Sequence, residues 1–196
     1  MVKSLDAFLI STAVVAIAEI GDKTQLLALV LAARFRKPVP IILGILVATL
    51  ANHGLAAWAG ALVADWLGGE ILRWILGLSF LAMAGWMLIP DKVDDEETST
   101  AGRFGPFLAT LIAFFLLEIG DKTQIATIAL SARFNDLLLV TAGTTLGMML
   151  ANVPAVLLGE VAAKKVPLTL VHAIAAGIFA VMGVLILLNV GDAFGG

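Results

Sequence analysis

The sequence predicts an all-α membrane protein of six transmembrane helices arranged as two inverted three-helix repeats, and three observations carry that prediction. The chain is 61 % hydrophobic and only 14 % charged, where soluble domains run near a quarter charged, and its mean hydropathy is +1.05. It contains six apolar runs close to the roughly 20 residues that cross a hydrocarbon core as a helix. Finally, the heptad "EIGDKTQ" at Glu19 to Gln25 returns at Glu118 to Gln124, 99 residues later.

The six runs are Leu5 to Ala33, Val39 to Trp66, Ile71 to Ile89, Phe107 to Ala132, Leu137 to Val161 and Leu168 to Val190. Lipid offers no partners to backbone groups, so a spanning segment must be a helix or part of a closed barrel, and alternating ten-residue barrel strands are absent. The connections are short and leave no room for a soluble domain. Lys3, the following apolar stretch and "AIA" at Ala16 to Ala18 imitate a cleavable secretory signal. The copy at Phe107 to Leu117 lacks that site in mid-chain, so the first segment reads as a retained helix.

Lys and Arg counts set the orientation, since their excess marks the cytoplasmic side. Loops one, three and five hold Arg34, Arg36, Lys37, Lys92, Arg103, Lys164 and Lys165, against Lys3, Arg73 and Arg133 on the other side. Both termini are therefore expected to be non-cytoplasmic, with Trp66 and Trp74 flanking the second loop at interface depth. The run Asp94 to Glu97, "DDEE", reads as a solvated loop.

The repeat extends beyond the heptad. "ARF" at Ala33 to Phe35 returns at Ala132 to Phe134, "LAN" at Leu50 to Asn52 returns at Leu150 to Asn152, and Phe80 and Met83 align with Phe179 and Met182. Three helices per half is an odd number, so the second half enters the membrane from the opposite side, the plan of many secondary transporters. The expected organisation is residues 1–90 as the first repeat, 91–106 as an acidic cytoplasmic linker and 107–196 as the second repeat.

Polar residues in the middle of a membrane segment are costly and mark function by default. On a helix, positions three and four apart share a face, so Glu19, Asp22 and Gln25 can present oxygens in one direction, as can Glu118, Asp121 and Gln124, and all six are candidate metal ligands. Inverted symmetry can join the two sets into an oxygen-rich site for a hard divalent cation such as Mn²⁺, Ca²⁺ or Mg²⁺. The absence of cysteine removes disulfides and thiolate ligands and disfavours copper and zinc. Four carboxylates against Lys23 and Lys122 leave a balance of two negative charges, which one divalent cation or two protons neutralise. Cation/proton antiport is the expectation that follows.

Thr24 and Thr123 are candidate secondary ligands or gate residues. Asn52 and Asn152, read as equivalent positions, are expected either to add amide oxygens or to tie helices together. Gly21 and Gly120 permit a kink or break, and "DKTQ" from Asp22 has the character of a capping box at which a helix restarts. Gly143 and Gly147 read as helix-packing positions and Pro154 as a kink. His53, with Val153 rather than a polar residue aligned to it, and His172 read as packing or interfacial residues.

At these motifs the chain resembles a family of small membrane cation transporters with two E-x-G-D-[KR]-[TS] signatures, which includes Golgi manganese/calcium transporters and bacterial manganese exporters. The signature stands as "EIGDKT" at Glu19 to Thr24 and Glu118 to Thr123. The resemblance implies the lysine-exporter-like fold of inverted three-helix repeats, Glu19, Asp22, Glu118 and Asp121 as acidic cation ligands, and exchange of Mn²⁺ or Ca²⁺ for protons. Short termini and a compact linker point to a multi-pass protein of a bacterial plasma membrane.

The expectation is a secondary transporter exporting Mn²⁺, with Ca²⁺/proton antiport as the alternative substrate and a membrane assembly scaffold as the alternative class. No prosthetic group and no nucleic-acid partner are expected; the partners are the cation and the lipid bilayer, and the sequence does not specify an oligomeric state. An intramembrane hydrolase is disfavoured, since no Ser/His pair or H-E-x-x-H arrangement is present.

Overall fold

The computed structural model describes residues 2–67, 69–89, 104–158 and 168–190, so the acidic run at Asp94 to Glu97 and the loop cations Lys92, Arg103, Lys164 and Lys165 lie outside the described residues. The regular structure among the described residues is α-helical. Four of the expected runs form single helices: α3 (Pro38–Trp66), α4 (Gly69–Met87), α7 (Leu137–Leu158) and α8 (Leu168–Leu187). Each is long and apolar enough to cross a membrane.

The first and fourth runs are not continuous helices. Each divides at its motif, into α1 (Val2–Glu19) and α2 (Lys23–Phe35), and into α5 (Pro106–Glu118) and α6 (Lys122–Phe134). The expected break at Gly21 and Gly120, with a restart at the aspartate, is what the structure contains. The second pieces end alike, with Arg36 and Asn135 in the left-handed conformation and their N–H groups donating to the Ala32 and Ser131 carbonyls.

The outer surface is apolar, unlike that of a water-soluble bundle. On α3, Val39, Leu43, Val47, Leu50, Leu55, Trp58 and Trp66 face outward, while Thr49, Asn52 and His53 are buried among small residues. Lipid tails are as apolar as leucine, so large hydrophobic side chains gain little by hiding and polar ones gain most by facing one another. This pattern makes the chain a multi-pass membrane protein.

The halves interleave. The broken segment of each half packs on the long helix of the other: α1 and α2 against α7, α5 and α6 against α3, while α4 packs on α8. Glycine permits the closest approaches. A Cβ on Gly44 would stand 2.8 Å from the Phe107 carbonyl oxygen of α5, and one on Gly143 would stand 2.5 Å from the Phe8 carbonyl oxygen of α1. Gly147 is pressed onto α1 in the same way, as the packing reading expects. Phe80 of α4 and its repeat mate Phe179 of α8 stack with ring centroids 6.0 Å apart.

Those contacts fix the internal register. The buried positions of α3, Ile41, Gly44, Ala48, Thr49, Asn52, His53 and Ala56, coincide with Val140, Gly143, Gly147, Met148, Ala151, Asn152 and Ala155 of α7, all at an offset of 99. Asn52 therefore corresponds to Ala151 and His53 to Asn152. This corrects the expected equivalence of Asn52 with Asn152, because a one-residue shift turns a helical side chain by about 100°.

Candidate metal centre

The signature E-x-G-D is first of all a turn. The Asp22 N–H donates to the Glu19 carbonyl at 3.1 Å, and the Asp121 N–H to the Glu118 carbonyl at 3.2 Å. Ile119 has φ −64° and ψ 118°, and Gly120 has φ 76°, as Gly21 has 85°. These are the angles of a type II turn, whose third position requires positive φ and hence glycine. The fourth residue, aspartate, is then the N-cap of the next helix: Asp22 has φ −75° and Asp121 φ −76°, both with ψ 166°. Asp121 accepts from the Thr123 N–H at 3.4 Å.

Glutamine closes the motif. Gln25 Oε1 accepts from the Gly21 N–H at 2.9 Å, and Gln124 Oε1 accepts from the Gly120 N–H at 2.7 Å. This is the capping-box exchange moved one residue earlier. Gln25 also donates to the Ala151 carbonyl of α7 at 2.9 Å. The amide oxygens are thus turned to the backbone breaks, and the expected shared helical face of Glu19, Asp22 and Gln25 does not exist, because the helix ends at Glu19.

What the turns gather instead is carboxylate. Glu19, Asp22 and Asp121 each place an oxygen within 4.8 Å of the others, and all three are buried. The cluster therefore draws on both copies of the motif. Thr24 Oγ1 donates to Glu19 Oε2 at 2.6 Å, and Thr123 Oγ1 lies 3.2 Å from Glu118 Oε2 and 3.4 Å from Asp121 Oδ2. Glu19 Oε1 and Glu118 Oε1 are buried with no hydrogen-bond partner among the described residues. Such atoms are expensive unless an ion, a ligand or water meets them.

The lysines behave differently from each other. Lys23 Nζ lies 3.2 Å from Asp121 Oδ1 and so bridges the two motifs, whereas Lys122 Nζ donates to the Ile89 carbonyl beyond α4 at 3.2 Å. The surroundings of the breaks differ as well. Leu168 covers Gly21, while nothing among the described residues lies within 4 Å of a Cβ on Gly120. Likewise α4 packs against α6 and α1 against α8, and the equivalent contacts of α8 with α2 and of α4 with α5 are far weaker.

Asn52 donates to the Phe115 carbonyl of α5 at 3.0 Å, the helix-tying role among the two expected. Asn152 donates to the Met148 carbonyl at 3.1 Å within its own helix, and its Oδ1 is buried without a hydrogen-bond partner among the described residues. The residue that sequence reasoning set aside is His53. It is fully buried, with Nε2 3.9 Å from Glu118 Oε2. The signal was present: carried through the unbroken α3, the 99-residue offset aligns it with the polar Asn152. His172 stands apart, half-buried near the start of α8.

The family described as divalent cation/proton antiporter GDT1 matches residues 7–95 and 106–193. A protein of Vibrio cholerae named "Putative manganese exporter" is 60 % identical over 174 residues, covering 88 % of this chain and 86 % of that protein. GDT1-like protein 3 of rice is 29 % identical over 187 residues, 82 % of this chain and 66 % of the rice protein. GDT1-like protein sll0615 of Synechocystis is 26 % identical over 201 residues, 91 % of this chain and 96 % of that protein. No solved structure matches.

Proposed function

The chain belongs to the GDT1 family of divalent cation/proton antiporters, transporters rather than enzymes, and from that premise we propose that it exports Mn²⁺ from the cytoplasm in exchange for protons. The observation that carries this reading is the buried cluster of Glu19, Asp22 and Asp121, drawn from both motifs. Glu118 joins it through Thr123. The name given to the Vibrio cholerae relative favours manganese as the substrate.

The ligand set is proposed as Glu19, Asp22, Glu118 and Asp121, with Thr24 and Thr123 orienting the glutamates and Gln25 and Gln124 bracing the breaks. Oxygen donors of this kind suit Mn²⁺ and also Ca²⁺. Lys23 and Lys122 offset two of the four negative charges, and a departing divalent cation leaves an imbalance that two protons on the carboxylates restore. An uncompensated charge within the bilayer costs at least about 2.5 kcal/mol, which ties release of the cation to proton uptake.

Alternating access is proposed to arise from two inverted three-helix repeats, 1–90 and 107–196, in which each broken segment makes one of the six crossings. Its support is the matched geometry of the two breaks together with their unequal covering, since a rocking motion would exchange the covered and uncovered sides. The arrangement of Lys and Arg supports non-cytoplasmic termini in a bacterial plasma membrane. A cysteine-free chain makes single introduced cysteines a direct test of that orientation.

The deciding experiment measures Mn²⁺ and Ca²⁺ flux into proteoliposomes with a pH-sensitive dye inside, for wild type, Glu19→Gln and Asp121→Asn. Proton-coupled Mn²⁺ flux that both substitutions abolish is the expected result. Flux without proton counterflow under an imposed pH gradient overturns antiport. Flux unchanged in both variants overturns the shared site and leaves the motifs an assembly role, and a Ca²⁺ preference replaces manganese with calcium as the substrate.

A further inference from the structure

His53 puts a buried imidazole beside the carboxylates. Neither Nδ1 nor Nε2 has a hydrogen-bond partner among the described residues, and the side chain is fully buried. Unpaired buried polar atoms are costly, and native structures keep few of them without a ligand or ion to explain them. The ring does not face apolar packing alone: Nε2 is 3.9 Å from Glu118 Oε2, and Glu118 Oε1 is itself unpartnered among the described residues.

The two donors are within reach of one cation. Their separation of 3.9 Å exceeds the roughly 3.0 Å between adjacent ligands of an octahedral ion bonded at about 2.1 Å, so the imidazole and the carboxylate would close by about 0.9 Å around it. The carboxylate cluster is reached from there through one side chain, since the Thr123 hydroxyl touches both Glu118 and Asp121. The helix supports the placement, for Asn52, one residue earlier on α3, is anchored to the Phe115 carbonyl of α5 three residues before Glu118.

The repeat makes the imidazole informative. At the equivalent position of α7 stands Asn152, whose amide offers a metal oxygen. The two halves thus carry different donor types at this helix position: an imidazole that meets Glu118 and an amide whose Oδ1 is buried without a hydrogen-bond partner among the described residues. Ca²⁺ takes oxygen ligands; Mn²⁺ shares that liking for carboxylate and carbonyl oxygen but also stands, as Ca²⁺ does not, in the first-row series of ions ranked on mixed nitrogen and oxygen sites. One nitrogen donor in an otherwise oxygen-lined site therefore discriminates against Ca²⁺.

We infer that His53 Nε2 is a ligand of the transported cation beside Glu118, and that this nitrogen sets the preference of the site for Mn²⁺ over Ca²⁺. The inference rests on the transport reading above and adds a ligand and a selectivity element to it. His53→Asn, which copies the residue of the other half, retains a polar donor of the oxygen type. It should lower the Mn²⁺ to Ca²⁺ affinity ratio by about tenfold, the lower end of what loss of one supporting group does to metal affinity.

The test is pulsed electron paramagnetic resonance of Mn²⁺ bound to untagged wild-type protein, with and without selective ¹⁵N-histidine labelling. The chain has only two histidines, and the wild-type measurement needs no variant to fold. A ¹⁴N coupling that becomes a ¹⁵N coupling on labelling, and disappears in His53→Asn but persists in His172→Asn, is the expected result. Mn²⁺ bound without a nitrogen coupling, or with one that survives His53→Asn, overturns the inference and leaves the carboxylate site intact. An unchanged Mn²⁺ to Ca²⁺ ratio in a folded His53→Asn overturns the selectivity role. Failure of the wild-type protein to bind Mn²⁺ at all overturns the transport reading, and this inference with it.

Discussion

Replacing Gly120 by alanine separates the backbone requirement of the motif from every other contact. The residue sits at φ 76°, and an added Cβ would meet nothing within 4 Å among the described residues, so collisions with them contribute no penalty. The cost is the left-handed backbone alone, about 1–2 kcal/mol for an L-residue with a side chain. In a chain of 196 residues that corresponds to a fall in Tm of roughly 2–8 °C. Gly120→Asn should lose less, because asparagine tolerates this conformation better.

Gly21→Ala carries the same backbone cost at φ 85° and adds a collision with the Leu168 side chain. Leu168 is 40 % exposed at the start of α8, so it can swing away and the added cost should be small. Measured in a Leu168→Ala background, Gly21→Ala should cost the same as Gly120→Ala does in wild type. Thermal unfolding in detergent, followed by tryptophan fluorescence, reads these variants, and Mn²⁺ flux reads their effect on the site. A Gly120→Ala protein with wild-type Tm and flux would mean that E-x-G-D is not held as a type II turn, and the account of the motif given above would fall.

Three further outcomes are expected. Gln25→Ala should destabilise more than Gln124→Ala, since it loses the bond to the Ala151 carbonyl as well as that to the glycine N–H; a difference of about 1 kcal/mol is expected from one extra hydrogen bond, read as Tm. Lys23→Met removes the partner of Asp121 and should cost about 1–3 kcal/mol without metal, less than a fully buried pair because the Lys23 side chain is 20 % exposed. The same variant should be stabilised by added Mn²⁺ more than wild type is, and a smaller Mn²⁺ effect would contradict the pairing. Wild-type protein at a Mn²⁺ concentration of 100 Kd should gain about 2.7 kcal/mol, reversed by a chelator and absent when Glu19, Asp22, Glu118 and Asp121 are all amides; calorimetric unfolding checks it.

Membrane class, the apolar runs and the positions of the two breaks were all legible in the residues. Hydropathy is a sum over residues, and a type II turn is written in four consecutive residues, so both can be read without knowing what packs nearby. The offset of 99 is likewise a property of the chain alone, and followed strictly it pairs His53 with Asn152; the looser match of "LAN" at 100 hid that pairing. The company each motif keeps came from the packing of the helices. Glu19 lies near Asp22 by covalent necessity, through the turn, but its approach to Asp121 depends on how α1 and α6 are held by α7 and α3. Helical periodicity placed Gln25 on the ligand face because it assumed a continuous helix, and the break redirected its amide oxygen to Gly21. The interleaving of the halves and the unequal covering of Gly21 and Gly120 follow from contacts between residues far apart in the chain, and no local pattern of propensity or spacing encodes which side of a symmetric pair is covered.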